Sequence, residues 1–153
     1  MAKRRSKRQA WLEKFEEKAG EVHKRKLAKF AERMDKRCSS WKNSLVSRSK
    51  KAGVECNVTL DELRQLMYDN YGTACRYDGR QLDINNLVID HITPLSKDGT
   101  SNIDNLQVIC KTCNSMKGSL SESHFDILRE WLENEAPEEL KRDVSIRLAG
   151  GIY

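Results

Sequence analysis

The first third of the chain carries apolar residues at helical spacing on an otherwise ionic background. Between residues 10 and 37 they recur every three or four positions, which predicts an amphipathic helix with a narrow apolar stripe. Gly20 and a slip in the spacing near it indicate a kink or two helices. A further short helix is predicted over residues 40–51, ending at Gly53.

The rest of the chain alternates helix signals with two short apolar runs. Thr59 and Glu62 form the capping-box pattern that begins a helix, and Gly72 ends it. The β-branched apolar runs at residues 87–92 and 106–110 predict strands. Three helices are predicted after the second strand: residues 111–118, residues 121–134 and a segment that starts near Pro137. The pattern predicts an α+β fold, mainly helical, around a two-stranded antiparallel sheet.

Charge divides the chain unequally. Residues 1–56 hold 18 Lys and Arg against 7 Asp and Glu, a net of +11, so residues 57–153 carry −6 of the total of +5. A basic segment favours a polyanionic partner. We predict a basic helical extension at 1–56, a core domain at 57–136 and a C-terminal helix or tail at 137–153. The extension would lie solvated on the core or on a second copy, or would dock along phosphates.

Composition excludes some classes of protein. No run is long enough to span a membrane, and the basic N-terminus lacks the apolar segment of a secretory signal. Five cysteines, an odd number, fit a metal site in a reducing compartment better than a disulfide framework. Cys38 and Cys56 are predicted to be buried or free thiols, and His23 and His124 to be surface or core-edge residues rather than ligands.

Two pairs of residues have the spacing of metal-binding knuckles. Cys75 and Asp78 flank two residues on a turn, and Cys110 and Cys113 flank two residues where the second strand meets a helix. Three thiolates and a carboxylate are acceptable ligands for a tetrahedral structural Zn²⁺. The alternative is that Asp78 is an ordinary turn residue and no zinc binds.

A second group combines a carboxylate, an imidazole and two amides. Asp90 and His91 end the first strand, Asn105 precedes the second, and Asn114 follows Cys113. A carboxylate with an amide suits a hard divalent ion such as Mg²⁺, and histidine is a usable general base near neutral pH. The alternative is a capping aspartate and a surface histidine.

Taken together, the stretches CRYDG, IDHITPL and IDNLQVICKTCNSMKG resemble the HNH endonucleases and their ββα-metal core, over about residues 71–128. The resemblance implies that His91 takes a proton from the attacking water and that Asp90 and Asn114 hold one catalytic Mg²⁺ or Mn²⁺. It also implies that Asn105 braces the loop and keeps the His91 ring oriented. Asn114 replaces the last histidine of the family name, as in many members, and Asp78 stands in a usual cysteine position.

The implied activity is hydrolysis of DNA phosphodiesters that leaves a 5′ phosphate and a 3′ hydroxyl. Double-stranded DNA is the expected partner, with phosphate contacts at Lys117, Lys111 and Arg80, and a monomer would nick one strand. We expect a cytoplasmic location in a bacterium or phage-infected host, and a homodimer through the N-terminal helices is conceivable. Two alternatives are an inactive zinc-stabilised DNA-binding module and an RNA nuclease or RNA-binding protein.

Overall fold

The computed structural model describes residues 6–19 and 24–149, and it confirms the mainly helical α+β class with a two-stranded antiparallel sheet. The predictions about Gly20 and His23 fall outside the described residues. In chain order the elements are α1 (Lys7–Ala19), α2 (Lys24–Ala52), α3 (Leu60–Asn70), β1 (Leu87–His91), β2 (Leu106–Cys110), α4 (Lys111–Lys117), α5 (Glu122–Asn134) and α6 (Glu138–Ala149).

One helix replaces the two predicted between residues 24 and 52. The expected break near residues 38–40 is absent because no glycine or proline interrupts α2 there, and because its buried stripe continues through Cys38 to Leu45. The Ser39 hydroxyl donates to the Asp35 carbonyl at 3.1 Å, so this serine is accommodated within the helix. The break predicted there is therefore wrong, because α2 runs continuously over Lys24–Ala52.

The N-terminal helices pack on the rest of the chain through an aromatic cluster. Phe15 of α1 is fully buried, with its ring 5.5 Å from those of Phe30 and Tyr71. The Trp11 indole donates to the Arg64 carbonyl of α3 at 2.8 Å. Rings at these separations contribute about 0.5–1.5 kcal/mol per pair beyond their burial. The apolar stripe of α1 is therefore used within its own chain.

The centre of the molecule is a ββα unit. Strands β1 and β2 pair antiparallel, with Asp90 opposite Gln107 and His91 opposite Leu106. Every residue of β2 is buried, and α4 begins directly at its end. The predicted core residues of this unit are buried or partly buried: Leu82, Ile84, Leu87, Ile89, Leu106, Val108 and Met116.

Local signals at the helix ends act as the sequence predicts. Thr59 accepts a hydrogen bond from the Glu62 amide at 3.2 Å, and the Glu62 carboxylate accepts one from the Thr59 amide at 2.6 Å.

The tail after Pro137 forms the helix α6. Among the described residues, no helix has both the length and the apolar character needed to cross a bilayer.

The loop between the strands makes a close turn at Gly99. A β-carbon at this position would lie 1.9 Å from the Thr93 carbonyl oxygen, which is backbone and cannot rotate away. This approach packs the end of the loop against the residues that follow β1, so the loop geometry depends on the absence of a side chain here.

We expect Gly99→Ala to destabilise the protein by about 2–3 kcal/mol, because the backbone must shift to admit the methyl group. Chemical denaturation with circular dichroism would measure the loss. Gly72→Ala is a useful comparison, because at Gly72 the surrounding space is open and the strain comes only from a φ of 79°. Equal stability of wild type and Gly99→Ala would contradict the close approach.

Candidate active site and metal centre

The end of β1 brings Asp90 and His91 to one pocket. Regular alternation would separate neighbouring strand residues, but β1 stops at His91, where the Ile92 amide donates to the Asn105 carbonyl at 2.9 Å. Both side chains line an open pocket of about 310 Å³, together with Asn114 from α4. The structure thus brings together three of the four residues singled out from the sequence.

Two partners on one oxygen hold the Asp90 carboxylate. Its Oδ2 accepts from Gln107 Nε2 at 3.0 Å and lies 3.1 Å from Lys117 Nζ. Within the described part of the chain, Oδ1 of Asp90 and the side-chain amide of Asn114 have no hydrogen-bond partner. A carboxylate oxygen and an amide facing one pocket are suitable ligands for a hard divalent cation.

His91 lies at the inner wall of this pocket and is 6% exposed. Its Nε2 lies 2.8 Å from the hydroxyl oxygen of Ser101, and in the described residues Nδ1 has no partner. Burial lowers the pKa of His91 to about 4; the positive charges of Arg48 and Lys117 act in the same direction, and Asp90 opposes them. The imidazole is therefore neutral, the form that accepts a proton, at neutral pH.

Asn105 ties the connecting loop together without lining the pocket. Its Oδ1 accepts from the Thr93 amide at 2.8 Å, and its Nδ2 donates to the carbonyls of Thr93 at 2.9 Å and Thr100 at 2.8 Å. These bonds span the two ends of the loop that carries Ser101. Asn105 thus holds the loop together, and its predicted role in orienting His91 stays a prediction.

The four residues of the predicted zinc site converge at the far end of the sheet. The ligand atoms of Cys75, Asp78, Cys110 and Cys113 all lie within 4.8 Å of one another, and the three cysteines are buried. The Cys113 amide donates to the Cys110 sulfur at 3.3 Å, and the Cys110 amide donates to the Cys75 sulfur at 3.4 Å. Amide donors of this kind stabilise thiolates.

The electrostatics of this cluster favour a bound cation. Hydrogen bonds from Cys110 and Cys113 lower the pKa of the Cys75 thiol, while the proximity of Cys110 and Cys75 raises that of Cys113. Three sulfurs this close cannot all carry negative charge unless a cation lies among them. Gly79 supplies the turn beside Asp78 with a φ of 69°. Three thiolates and a carboxylate fit Zn²⁺.

The predicted phosphate contacts fall in two different environments. Lys111 and Arg80 are exposed, and Arg80 donates to the Thr112 hydroxyl at 3.0 Å. Lys117 is different: its side chain is fully buried, and its ammonium donates to the His91 carbonyl at 2.7 Å beside Asp90. The predicted DNA contact at Lys117 is therefore wrong, because its side chain lies in the interior and not on a surface that DNA can reach.

Residues 73–120 match the family model described as HNH endonuclease. The segment is similar to the HNH endonucleases, and we refer to it as the HNH domain. No curated protein and no solved structure matches the chain. The HNH domain contains both metal-binding knuckles, the sheet and α4, and its presence indicates nuclease activity and a nucleic-acid substrate.

Helix α2, which lies outside the HNH domain, contributes residues that the sequence reading missed. Arg48 lines the pocket of Asp90 and His91, and no ion pair occupies it within the described ranges. Ser49 is buried and lies 2.6 Å from Ser101, hydroxyl to hydroxyl. Ser49 follows Leu45 by four positions in the buried stripe, so a polar residue on that stripe was the available signal.

Gln107 was also missed, although the register of the sheet places it directly opposite Asp90. Its amide donates to both Asp90 and the Tyr77 hydroxyl. The remaining candidates are placed as predicted. His124 is exposed, Cys38 and Cys56 are free thiols, and burial raises the pKa of Cys38 to about 12.

Proposed function

We propose that this chain is a metal-dependent endonuclease that hydrolyses phosphodiester bonds of double-stranded DNA. The observation that carries the proposal is the pocket in which Asp90 Oδ1, the Asn114 amide and the neutral His91 imidazole meet. Those are the parts needed to position a cation on a phosphate and to deprotonate a water beside it.

Asp90 and Asn114 would hold a single Mg²⁺ or Mn²⁺. Such an ion, when bound, supplies electrostatic stabilisation of the charge that develops on the phosphate and the leaving 3′ oxygen. Gln107 and Lys117 restrain the Asp90 carboxylate through Oδ2, which leaves Oδ1 available as a metal ligand. One carboxylate and one neutral amide suit Mg²⁺ better than a tightly held zinc.

His91 would take the proton of the attacking water at a ring nitrogen. Its low pKa keeps the base form populated throughout the neutral range. Attack on phosphorus with departure of the 3′ oxygen leaves a 5′ phosphate and a 3′ hydroxyl. A single pocket acts on one strand at a time, so a monomer nicks.

Zn²⁺ would occupy the second cluster in a structural role. Cys75 and Asp78 precede β1, whereas Cys110 and Cys113 lie at the junction of β2 and α4. Joining these points fixes the chain on both sides of the sheet. In a small domain, metal binding of this kind contributes directly to folding free energy.

Duplex DNA would contact basic residues in two places. Exposed Lys111 and Arg80 are proposed contacts on the HNH side, and Arg48 of α2 reaches the pocket itself. A guanidinium with no ion-pair partner beside the catalytic group is suited to bind a phosphate oxygen through two hydrogen bonds. The homodimer and the cytoplasmic bacterial or phage setting stay predictions.

We expect Arg48→Ala to lower kcat/KM for DNA about 10-fold, through loss of a phosphate contact next to the reacting bond. The slope of log binding affinity against log salt concentration should also decrease in magnitude by about one. Arg33→Ala is the matched control, because Arg33 is an exposed cation on the same helix about 22 Å away along its axis. Equal effects of the two substitutions would show that Arg48 contributes only as a general surface charge and makes no specific phosphate contact.

The proposed activity is tested with supercoiled plasmid in Mg²⁺ or Mn²⁺, with and without chelator. Nicked circles that form only with the divalent ion support the endonuclease. Retention of DNA in a gel-shift assay, with no cutting in any divalent ion, would favour the DNA-binding module instead. Faster cutting of RNA than of duplex DNA would favour the ribonuclease.

A further inference from the structure

Two buried serine hydroxyls connect α2 to the candidate base, His91. Ser49 Oγ lies 2.6 Å from Ser101 Oγ, which lies 2.8 Å from His91 Nε2. Ser49 is 1% exposed and Ser101 0% exposed. The Ser101 amide also donates to the Glu55 carbonyl at 2.8 Å, so the backbone fixes the same loop position. Buried hydroxyls are costly unless each is hydrogen-bonded, which makes this chain of groups highly constrained.

We propose that Ser49 and Ser101 are positioning residues that hold the His91 imidazole as the tautomer with its proton on Nε2, leaving Nδ1 to accept the proton of the attacking water. The catalytic part of this inference rests on the proposed function. Ser49 lies outside the HNH domain, so the inference assigns a part of the site to α2.

The order of the hydrogen bonds decides the tautomer. A hydroxyl both donates and accepts, so the chain can run from Nε2–H to Ser101 to Ser49, or in reverse. The reverse order puts the ring proton on Nδ1, the nitrogen without a protein partner. It would also engage the Nε2 lone pair, and His91 would then present no acceptor to water.

The charges around the ring favour the first order. Arg48 lines the pocket, and the Lys117 ammonium donates to the His91 carbonyl. An N–H bond directed at positive charge is unfavourable, whereas a lone pair directed at it is favourable. A divalent ion held by Asp90 and Asn114 would act in the same sense. The charges of the pocket therefore favour an unprotonated Nδ1 and a proton on Nε2 that is donated in a hydrogen bond to Ser101.

Ser49 determines what Ser101 can do. If the Ser101 hydroxyl donates its hydrogen to Ser49, its lone pair remains for the Nε2–H group. Without Ser49, that hydrogen could turn towards Nε2 and favour the other tautomer.

The ring state is measured by ¹⁵N NMR of the zinc-loaded full chain at a fixed pH of about 7.5. We expect the His91 nitrogens of the wild type to show the Nε2–H pattern. In Ser101→Ala they should move towards an average of the two tautomers, with a smaller shift in Ser49→Ala. Ser47→Ala, which changes an exposed serine of the same helix, should leave them unchanged. A wild-type Nδ1–H pattern, or no shift in Ser101→Ala, would overturn the proposal.

Cleavage kinetics provide the second readout. Ser101→Ala should lower kcat about 10–100-fold with little change in KM, as outer partners of site residues do. Ser49→Ala should lower kcat less and add nothing in the Ser101→Ala background, while Ser49→Thr restores activity. Additive effects, or Ser49→Ala indistinguishable from Ser47→Ala, would contradict the relay.

The two proposals can fail separately. A folded wild type that cuts no nucleic acid overturns the endonuclease, and with it the catalytic role of the serines. A wild type that cuts while both serine variants keep full activity overturns the serine pair alone. If Ser101→Ala does not fold by its amide spectrum, Ser101→Cys and Ser49→Ala supply the same comparison with smaller changes of volume.

Discussion

Replacement of His91 by alanine should lower the rate of plasmid nicking by roughly 10²–10⁴-fold, the usual contribution of a general base. Among the described residues, the substitution removes the one imidazole that lines the pocket of Asp90 and Asn114. Because Asp90, Asn114 and the exposed basic residues remain, DNA binding should change little. Quantified gels of supercoiled, nicked and linear plasmid, at saturating Mg²⁺, would give the rates.

His124→Ala is the matched control for this experiment. His124 lies exposed at the start of α5, outside the pocket, so its loss should leave the nicking rate within about 2-fold. If His91→Ala cut at the wild-type rate, water would have to be activated by another group, and the mechanism proposed for this pocket would be wrong.

Loss of a cysteine from the zinc cluster should have the largest effect on stability. We expect Cys113→Ser to lose the metal and to cost on the order of 3–5 kcal/mol, since the cluster joins both sides of the sheet. That is a large fraction of the stability of a typical domain and would lower Tm by roughly 10 °C or more. Elemental analysis and thermal melts would measure both quantities.

Two further variants give this prediction its controls. Cys56→Ser changes a half-buried free thiol outside the cluster and should keep the full zinc content. Asp78→Cys completes a set of four thiolates and should hold zinc at least as tightly as the wild type. Wild-type protein that contains no zinc after expression in zinc-supplemented medium, and whose Tm is insensitive to chelator, would contradict a structural metal.

Much of the HNH domain was predictable because its signals are local or have fixed spacing. The strand at residues 87–91 follows from a β-branched run, and the pairing of Cys110 with Cys113 follows from a two-residue gap at a strand–helix junction. The convergence of Asp90 and Asn114 was predictable from the motif they share with the family. These features need little information about distant parts of the chain.

The missed features all depend on contacts between distant segments. Arg48 lines the pocket and Ser49 contacts Ser101 because α2 packs on the loop between β1 and β2, and nothing in their neighbourhood of the sequence predicts that packing. Lys117 resembled a surface cation because lysine is rarely buried. Only the fold shows that Asp90 and the His91 carbonyl surround its ammonium. Contacts between distant segments determine the positions of these three residues, as they determine the continuity of α2.

The unbroken course of α2 limits how the HNH domain can be moved into another protein. The same helix anchors the aromatic cluster at Phe30 and ends within a few residues of Ser49. A fragment cut to residues 73–120 would lack Arg48 from its pocket and the contact of Ser49 with Ser101. A fragment that begins upstream of α2 would keep both residues, so the minimal portable unit is longer than the family motif.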